Sequence, residues 1–547
     1  MRLPRLHGSS AFFSWALALT AGCALAALAG CGRTAPRRSA RSGQRPARWL
    51  ANEVGPGLYR LFVDAQRAAP SVEAENQAAG SAGWRLPGPS PLVGGSSTKG
   101  VAAYVSNPSP LPGEQELLYV SAPGAPTVRV QLWRLGWYGG EGGRLYLETT
   151  PLPVFPQPPC RHDPSTGLTE CRWRPTFGIR LAEGFPSGVY IFKVVAADGG
   201  AGDGIFVLRA KRTAKLLVEL PDATWEAYNL FGGDDLYPEP GARPVAATGT
   251  DQGVEVSFLR PYATLSGAGQ LFQRELAAVW FFERYGYPVS YTTLSALDRE
   301  PNQVRGARAV VDIGHSEYWS WRAFSALKTV VEEGGSLIFL SSDLFGWEVR
   351  FLPAGSGAAP DRTIVSYKQF AATAPPQLRD TGPFPAVAAG HLTGTAFNGC
   401  ITPRLGGVPP RYAYYPLVIS AQAPRWLLHG SGLQPGDELP GVVGYELDQR
   451  SPFAPAGTTV VGYSPPVPCL HGEGSVPVVG NTAQATLYFT PHGGFVFSSG
   501  TLGWLYGLQP LPGVSPDIPK RPLPGLVAIT RNLLNRAIGR RRRSLLR

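Results

Sequence analysis

Three loops of the sequence carry side chains that could take part in chemistry. The first loop holds Tyr228 and Tyr237, the second holds His315 and Glu317, and the third holds Asp343. Together they form a set rich in titratable groups and oxygen donors, which are the residue types that transfer protons in hydrolytic sites. A His and a Glu two positions apart can both point into one cleft.

Each of these residues also has a structural interpretation. Tyr228 and Tyr237 could pack against the core with only a hydrogen-bonded tip. His315 could bond the backbone while Glu317 caps the helix that follows, and Asp343 could serve as a turn or helix-cap residue. The spacing by itself leaves both interpretations open.

The segments before these loops have the order of strands and helices that is typical of a parallel α/β sheet. Apolar runs typical of buried strands alternate with stretches of helical periodicity. The strands are predicted at 215–220, 309–313, 336–340 and 495–497, and the helices at 273–285, 320–332 and 524–536. In such sheets the loops beyond the carboxyl ends of the strands line one crevice, so we expect the three loops to converge.

A further carboxylate, Glu446, lies in the segment 441–448. It could pair with a basic group, or it could add a second carboxylate to the cleft. The sequence leaves the choice open.

Residues from about 97 to 212 are dense in short alternating strands between Gly and Pro turns. This pattern predicts an immunoglobulin-like β-sandwich before the α/β domain. The expected organisation is a signal peptide, a basic linker, an N-terminal extension, the sandwich, the α/β domain and a basic tail, at 1–31, 32–50, 51–95, 96–212, 213–530 and 531–547.

The N-terminus has the pattern of a bacterial export signal. Arg2 and Arg5 precede an uncharged apolar run that ends in Leu-Ala-Gly-Cys31. This ending resembles the lipobox of lipoproteins, in which Cys31 becomes the lipidated N-terminus. The alternative is an uncleaved membrane anchor, since the run is long enough to span a bilayer. Either way we expect an extracytoplasmic, membrane-attached protein.

The net charge of +11 is concentrated at the two ends of the chain. Fifteen arginines and no acidic residues lie in 1–48 and 531–547, so the body between them carries a net charge of −4. A slightly acidic body argues against a nucleic-acid partner. The basic ends could lie against anionic lipid headgroups, or they could be a solvated linker and tail.

Four cysteines remain beyond the signal, an even number that suggests disulfides in an oxidising compartment. Three pairings are possible. We favour Cys160 with Cys171, which bracket one short loop, and Cys400 with Cys469.

Taken together, these segments resemble the large (β) subunit of N,N-dimethylformamidase and its relatives over roughly residues 96 to 536. No single motif is specific, but their ordered series is. The motifs lie at 133–144 (WRLGWYGGEGGR), 166–173, 186–190, 224–229 (TWEAYN), 260–262 (RPY), 314–320 (GHSEYWS), 335–350 and 500–504 (GTLGW).

The resemblance implies a domain like the class I glutamine amidotransferases, of flavodoxin-like type, after the sandwich. It also implies a mononuclear iron, Fe(III), that hydrolyses an amide C–N bond of a small-molecule substrate. Carried over residue by residue, the ligands fall on Tyr228, Tyr237 and Glu317, and the catalytic histidine falls on His315. Glu446 is the candidate for passing a proton to the leaving amine.

Two departures from the family pattern matter. Where the family usually has a Gly-Asn pair, this chain has Ser342 and Asp343. Asp343 would add a carboxylate beside the metal, so we include it among the catalytic candidates. Dimethylformamidase itself is cytoplasmic and has a small partner subunit, which nothing in this chain resembles. A homo-oligomer remains open.

Two other functions compete with amide hydrolysis. The aromatic side chains of Trp133, Trp137 and Tyr138 could bind carbohydrate on a non-catalytic surface lipoprotein. Glu317 with Asp343 or Glu446 could instead act as the paired carboxylates of a metal-independent glycosidase.

Overall fold

The computed structural model describes residues 52–53, 59–62, 71–87, 93–95, 97–238, 244–263, 268–353, 361–401, 403–404, 411–470 and 478–539. All of them belong to a compact unit that begins at Pro46. The predicted signal peptide with Cys31, the linker 32–50 and the tail from residue 540 lie outside the described residues. Within the described ranges, no helix combines the length and apolar character needed to cross a bilayer.

The N-terminal part is built of strands. In chain order they are β1 Asn52–Glu53, β2 Tyr59–Phe62, β3 Ala102–Val105, β4 Gln115–Ser121, β5 Thr127–Leu135, β6 Gly143–Glu148, β7 Leu152–Pro153, β8 Arg161–His162, β9 Thr169–Glu170, β10 Pro175–Arg180, β11 Gly188–Ala196 and β12 Ala201–Leu208. One sheet has the order β1-β2-β10-β4-β3, and a second has the order β12-β11-β5-β6, with β7 beside β5.

The two N-terminal sheets share one apolar core, as the sheets of a sandwich do. Leu118 of β4 and Phe177 of β10 lie in the same cluster as Val130 of β5 and Phe192 of β11. Alternation along the strands produces this packing, because every second side chain of β4 is buried.

The remainder of the chain alternates strands and helices. The strands are β13 Leu216–Leu220, β14 Glu255–Ser257, β15 Val289–Thr293, β16 Ala309–His315, β17 Tyr318–Trp319, β18 Ser336–Ser342, β19 Trp347–Glu348, β20 Arg350–Leu352, β21 Thr363–Val365, β22 Thr395–Ile401, β23 Pro403–Arg404, β24 Arg411–Tyr412, β25 Tyr415–Ile419, β26 Glu438–Val443, β27 Glu446–Arg450, β28 Thr459–Tyr463, β29 Val467–Leu470, β30 Val478–Asn481, β31 Gln484–Phe489 and β32 Phe495–Ser498. The helices of the described residues, including one in the N-terminal part, are α1 Val72–Glu75, α2 Asp222–Ala227, α3 Leu276–Arg284, α4 Leu294–Arg299, α5 Trp321–Glu332, α6 Ala386–Thr393, α7 Arg425–Leu428, α8 Trp504–Leu508 and α9 Pro524–Ala537.

A nine-stranded sheet organises this part, in the order β15-β13-β16-β18-β32-β31-β28-β25-β26. The first five strands are parallel, and the remaining pairings are antiparallel. Residues of α3, α8 and α9 cover one face, and residues of α4, α5 and α6 cover the other. Because both faces are covered, the parallel strands are buried throughout, as their continuous apolar sequence predicts.

The predicted strands and helices are confirmed with small shifts at their ends. The helix predicted at 273–285 begins at Leu276, and the helix predicted at 320–332 is α5, where Ser320 Oγ accepts a hydrogen bond from the Ala323 N–H. Trp321, the first residue of α5, is 42% exposed, whereas Phe324 and Leu327 of the same helix are buried.

One of the two disulfide predictions is confirmed and the other is wrong. Cys160 and Cys171 are bonded, as expected. The predicted Cys400–Cys469 bond is wrong, since both cysteines are free. On the antiparallel strands β22 and β29, Cys469 stands opposite Ile401 and not opposite Cys400. Because neighbouring side chains on a strand point to opposite faces, the two sulfurs lie on opposite sides of the sheet.

Two of the three aromatic residues that were expected to bind carbohydrate on the sandwich, Trp133 and Tyr138, are buried. Trp133 is 4% exposed and Tyr138 is 2% exposed. Arg134, between them in the sequence, pairs with Glu283 of α3 at 2.7 Å with both side chains buried. Trp133 lies in the same buried cluster as residues of α3, and the partly buried Trp137 packs against that cluster, so Trp133 and Tyr138 do not form an exposed aromatic surface.

Candidate functional site

Two phenol groups and a carboxylate meet beyond the carboxyl ends of β13 and β16. The hydroxyl of Tyr228 lies 2.7 Å from that of Tyr237 and 2.8 Å from Oε2 of Glu317. The Tyr237 hydroxyl donates to Oε1 of Glu317 at 2.6 Å. The two tyrosine rings stack with centroids 4.4 Å apart. Three hard oxygen donors from two loops therefore converge on one point.

Local structure explains how the loops reach each other. The short helix α2 starts right after β13 and ends beside Tyr228, which is its C-cap. Thr224 of α2 accepts hydrogen bonds through Oγ1 from the backbone N–H groups of Glu317 and Tyr318, at 3.2 and 3.3 Å. The Thr224 side chain thus joins the first loop to the backbone of the second, which fixes the position of Glu317 relative to Tyr228.

A tryptophan holds the carboxylate from the other side. Trp347 Nε1 donates to Oε1 of Glu317 at 2.8 Å, and the backbone N–H of Trp347 donates to the carbonyl of Glu317. Glu317 therefore does not cap α5, since Ser320 fills that role. The helix-cap interpretation of Glu317 is wrong.

His315 ends β16 with its side chain fully buried beside this cluster. Its Nε2 lies 2.7 Å from Oε2 of Glu446, 3.6 Å from Oε2 of Glu317 and 3.9 Å from Oδ2 of Asp343. The preceding Gly314 has φ of +88°, and a Cβ there would overlap the Glu275 carboxylate. Only glycine fits this conformation and this space, so the position sets the direction of the imidazole.

Glu446 and Asp343 complete the surroundings of His315. Asp343 has a φ of +54°, which is unusual for a residue other than glycine. Its backbone N–H donates to Oδ1 of Asp448 at 2.9 Å, and Ser342 Oγ donates to the carbonyl of Glu446 at 3.0 Å. These bonds connect β18 to β27 and place both carboxylates against the imidazole, which answers the question that the sequence left open for Glu446.

Burial and crowding of acidic groups dominate the electrostatics. Burial, and then the charge of Glu317, raise the pKa of Tyr228 and of Tyr237 well above the usual range of a phenol. Burial and the neighbouring Glu317 likewise raise the pKa of Asp343 and of Glu446 well above that of an ordinary carboxyl group. A cluster of this kind favours either protons or a cation at its centre.

A cation would find ligands here. One potential ligand atom from each of His315, Glu317 and Asp343 lies within 4.8 Å of the others, and all three side chains are buried. This group could bind a metal ion, and the two phenol oxygens adjoin it through Glu317.

Several residues around the site were not predicted from the sequence. Trp347 lies in the same loop as Asp343, and its position after a predicted strand could have indicated it. Lys368 is buried with Nζ 3.4 Å from the centre of the Tyr237 ring, and it donates to the Leu236 carbonyl at 3.0 Å. Nothing in its sequence surroundings indicates that position.

The antiparallel part of the chain supplies a further group. Tyr445 lies edge-on to the His315 ring with centroids 5.6 Å apart, and Arg274 stacks on Tyr445 with its guanidinium carbon 4.4 Å from the ring centre. Both residues come from segments that carried no recognisable motif.

Comparison with known proteins identifies the family of the chain. No curated protein sequence matches the chain. The family described as N,N-dimethylformamidase beta subunit-like, C-terminal, matches residues 129–518, which include all the site residues described above. The chain therefore belongs to the N,N-dimethylformamidase beta subunit-like family.

Proposed function

We propose that this protein is a metal-dependent hydrolase of an amide-type C–N bond. The observation that carries the proposal is the meeting of the Tyr228, Tyr237 and Glu317 oxygens at 2.6 to 2.8 Å, beside the contact of His315 with Glu446. Membership of the dimethylformamidase-like family supports the reaction class.

The donor set fits iron. Two phenolates and a carboxylate are hard, anionic oxygen ligands, which suit Fe(III) better than a soft or weakly charged ion. Tyr228, Tyr237 and Glu317 would hold the ion. When bound, it would polarise the substrate carbonyl and lower the pKa of a water molecule.

The remaining groups have roles in proton transfer. His315 lies within 4 Å of three carboxylates, so it can hold a proton at Nε2 or accept one from water. Oε2 of Glu446 lies 2.7 Å from that Nε2, and Glu446 would deliver a proton to the leaving amine. Asp343 adds a third carboxyl group on the same side, with Oδ2 3.9 Å from Nε2 of His315.

The topology supports a finer assignment of the fold. The five parallel strands β15-β13-β16-β18-β32 have the sequential order 2-1-3-4-5 of flavodoxin-like sheets, which bind ligands between the first and third strands. We assign this part to the class I glutamine amidotransferase-like type and the N-terminal sheets to an immunoglobulin-like sandwich. The site lies at that switch point, after β13 and β16.

We further propose that the protein is exported and tethered through a lipid on Cys31, with its arginine-rich ends against anionic headgroups. The support is the sequence pattern of residues 1–31. Expression of the full chain in a bacterium should give a membrane-associated form that Cys31→Ala releases into the soluble extracytoplasmic fraction. An unchanged distribution would argue against lipidation.

The reaction itself is tested by metal analysis and activity together. The protein purified after growth with ample iron should contain about one iron per chain, absorb visible light through tyrosinate charge transfer, and hydrolyse formamides and acetamides. Colourless protein without metal would refute the iron site. Hydrolysis of glycosides that persists after metal removal would favour the paired-carboxylate alternative instead.

A further inference from the structure

Arg274 lies beside the site without an acidic partner of its own. It comes just before α3 and stacks on Tyr445, whose ring in turn contacts His315. Its positive charge reaches Glu446, because burial and Glu317 raise the pKa of that carboxyl group while Arg274 opposes the rise. The guanidinium is therefore within electrostatic range of the His315–Glu446 pair.

Two buried arginines of the N-terminal part are each paired with an acidic residue. Arg134 forms two hydrogen bonds with Glu283, and Arg209 forms two with Glu300. Arg274, by contrast, forms no ion pair with any residue in the described ranges, and its buried Nη1 has no hydrogen-bond partner there. A buried N–H group without an acceptor is costly, so an acceptor that reaches Nη1 would be favoured.

Arg274 and the aromatic residues beside it are in part accessible to solvent. Arg274, Tyr445, Tyr412 and Cys400 are all partly exposed, whereas the His315 side chain is fully buried. The aromatic ring of Tyr412 packs against Tyr445 with centroids 4.3 Å apart, which completes an aromatic wall next to the guanidinium. These partly exposed residues adjoin the buried pair of His315 and Glu446 through the contact of Tyr445 with His315.

We propose that Arg274 determines substrate specificity by binding a carboxylate of the substrate. The substrate class would be N-acylated amino acids and similar amides whose carboxylate lies a few atoms from the scissile bond. The planar guanidinium offers two parallel N–H donors that match a carboxylate, and it supplies the positive charge that an anionic substrate needs among Glu317, Asp343 and Glu446. This inference rests on the proposed amide hydrolysis for its substrate class, but its binding test does not require turnover.

The test compares two probes of almost equal size, N-formylglycine and its neutral analogue N-formylglycinamide. Equilibrium binding to the full protein is measured by calorimetry, and hydrolysis of each probe is followed in parallel. We expect N-formylglycine to bind about 10- to 100-fold more tightly, the range for a hydrogen bond to a charged group. Arg274→Gln should abolish that preference, and Arg274→Lys should keep part of it.

A matched control is Arg284→Gln. Arg284 also stacks on an aromatic ring, that of Trp137 at 4.6 Å, and it ends the helix α3 that begins just after Arg274. This variant should keep the preference of the wild type for the anionic probe.

The outcomes separate the two proposals. Equal binding of the probes by the wild type, no binding of either, or a preference that survives in Arg274→Gln would overturn the role of Arg274. Hydrolysis of both probes with equal efficiency would also overturn it while leaving the amidase proposal standing. Selective binding of N-formylglycine without hydrolysis of any amide would uphold the anion site and refute the amidase.

Discussion

Nε2 of His315 lies 2.7 Å from Oε2 of Glu446, although the two residues belong to different sheets. His315 ends a parallel strand of the large sheet, and Glu446 begins a strand of the four-stranded sheet β27-β22-β29-β30. The contact joins the two halves of the α/β part at the place where the tyrosines and Glu317 converge. In the proposed reaction this pair would transfer protons next to the proposed ligands.

Replacement of this carboxylate should separate proton transfer from metal binding. Glu446→Gln keeps the shape of the side chain but removes the group that would deliver a proton, so the turnover number should fall about 100- to 10,000-fold. Iron content and the visible spectrum should stay close to those of the wild type. Loss of the metal together with the activity would instead mean that Glu446 is a ligand.

Removal of one phenol should act on the metal itself. Tyr237→Phe deletes the hydroxyl that lies 2.6 Å from Glu317, and we expect iron content and the charge-transfer absorption to fall together. Tyr488→Phe is the control, because that buried hydroxyl donates to two backbone carbonyls of α6, those of Leu392 and His391, at 2.7 and 3.3 Å. A spectrum unchanged in Tyr237→Phe would contradict the assignment of this ligand.

The indole of Trp347 should matter for affinity more than for chemistry. Trp347→Phe removes the 2.8 Å hydrogen bond to Oε1 of Glu317 while it keeps an aromatic ring. Supporting bonds to metal ligands typically contribute about 10- to 100-fold in affinity, so iron should be lost at correspondingly lower chelator concentrations. A chelator titration of both proteins measures the effect. Identical curves would show that Glu317 is held without the indole.

The thiol chemistry of the chain should follow the one observed disulfide. Alkylation of the unfolded, unreduced protein should label Cys400 and Cys469 and leave Cys160 and Cys171 unlabelled, as mass spectrometry of peptides can show. Cys160→Ser should lower the free energy of unfolding by about 2–4 kcal/mol, the usual contribution of a disulfide. Cys400→Ser should change it by much less. A labelled Cys171 would contradict the bond.

The sandwich contains a carboxyl group that should make stability depend on pH. Glu116 is buried, and its Oε1 accepts hydrogen bonds from Ser106 Oγ at 2.6 Å and from the Asn107 N–H at 2.8 Å. Burial raises its pKa to about 8 from an ordinary value of 4.5, against the effect of these hydrogen bonds. The folded protein therefore holds this proton more tightly than the unfolded chain does.

The sign of the effect follows from that difference. The contribution of Glu116 is complete below about pH 4.5 and is lost as the pH rises to about 8, and it amounts to a few kcal/mol. Urea unfolding at both pH values should show that Glu116→Gln loses less stability than the wild type over this range. Parallel losses in the two proteins would refute the raised pKa.

Much of this architecture was readable in the sequence. Uninterrupted apolar runs predicted the buried strands β13, β16 and β18, because a parallel sheet covered on both faces has no polar face to encode. The rule that loops beyond the carboxyl ends meet then brought Tyr228, Tyr237, His315, Glu317 and Asp343 to one crevice.

Only the tertiary structure decided the rest, because those relationships join segments far apart in the chain. Nothing local shows that Glu446 faces His315, that Trp347 holds Glu317, or that Lys368 lies over Tyr237. The same holds for the cysteines. The short loop between Cys160 and Cys171 was enough to predict their bond. The register of β22 and β29, however, places Cys469 opposite Ile401 and not opposite Cys400. Local periodicity specifies which elements form, while strand register and the packing of distant segments decide which side chains meet.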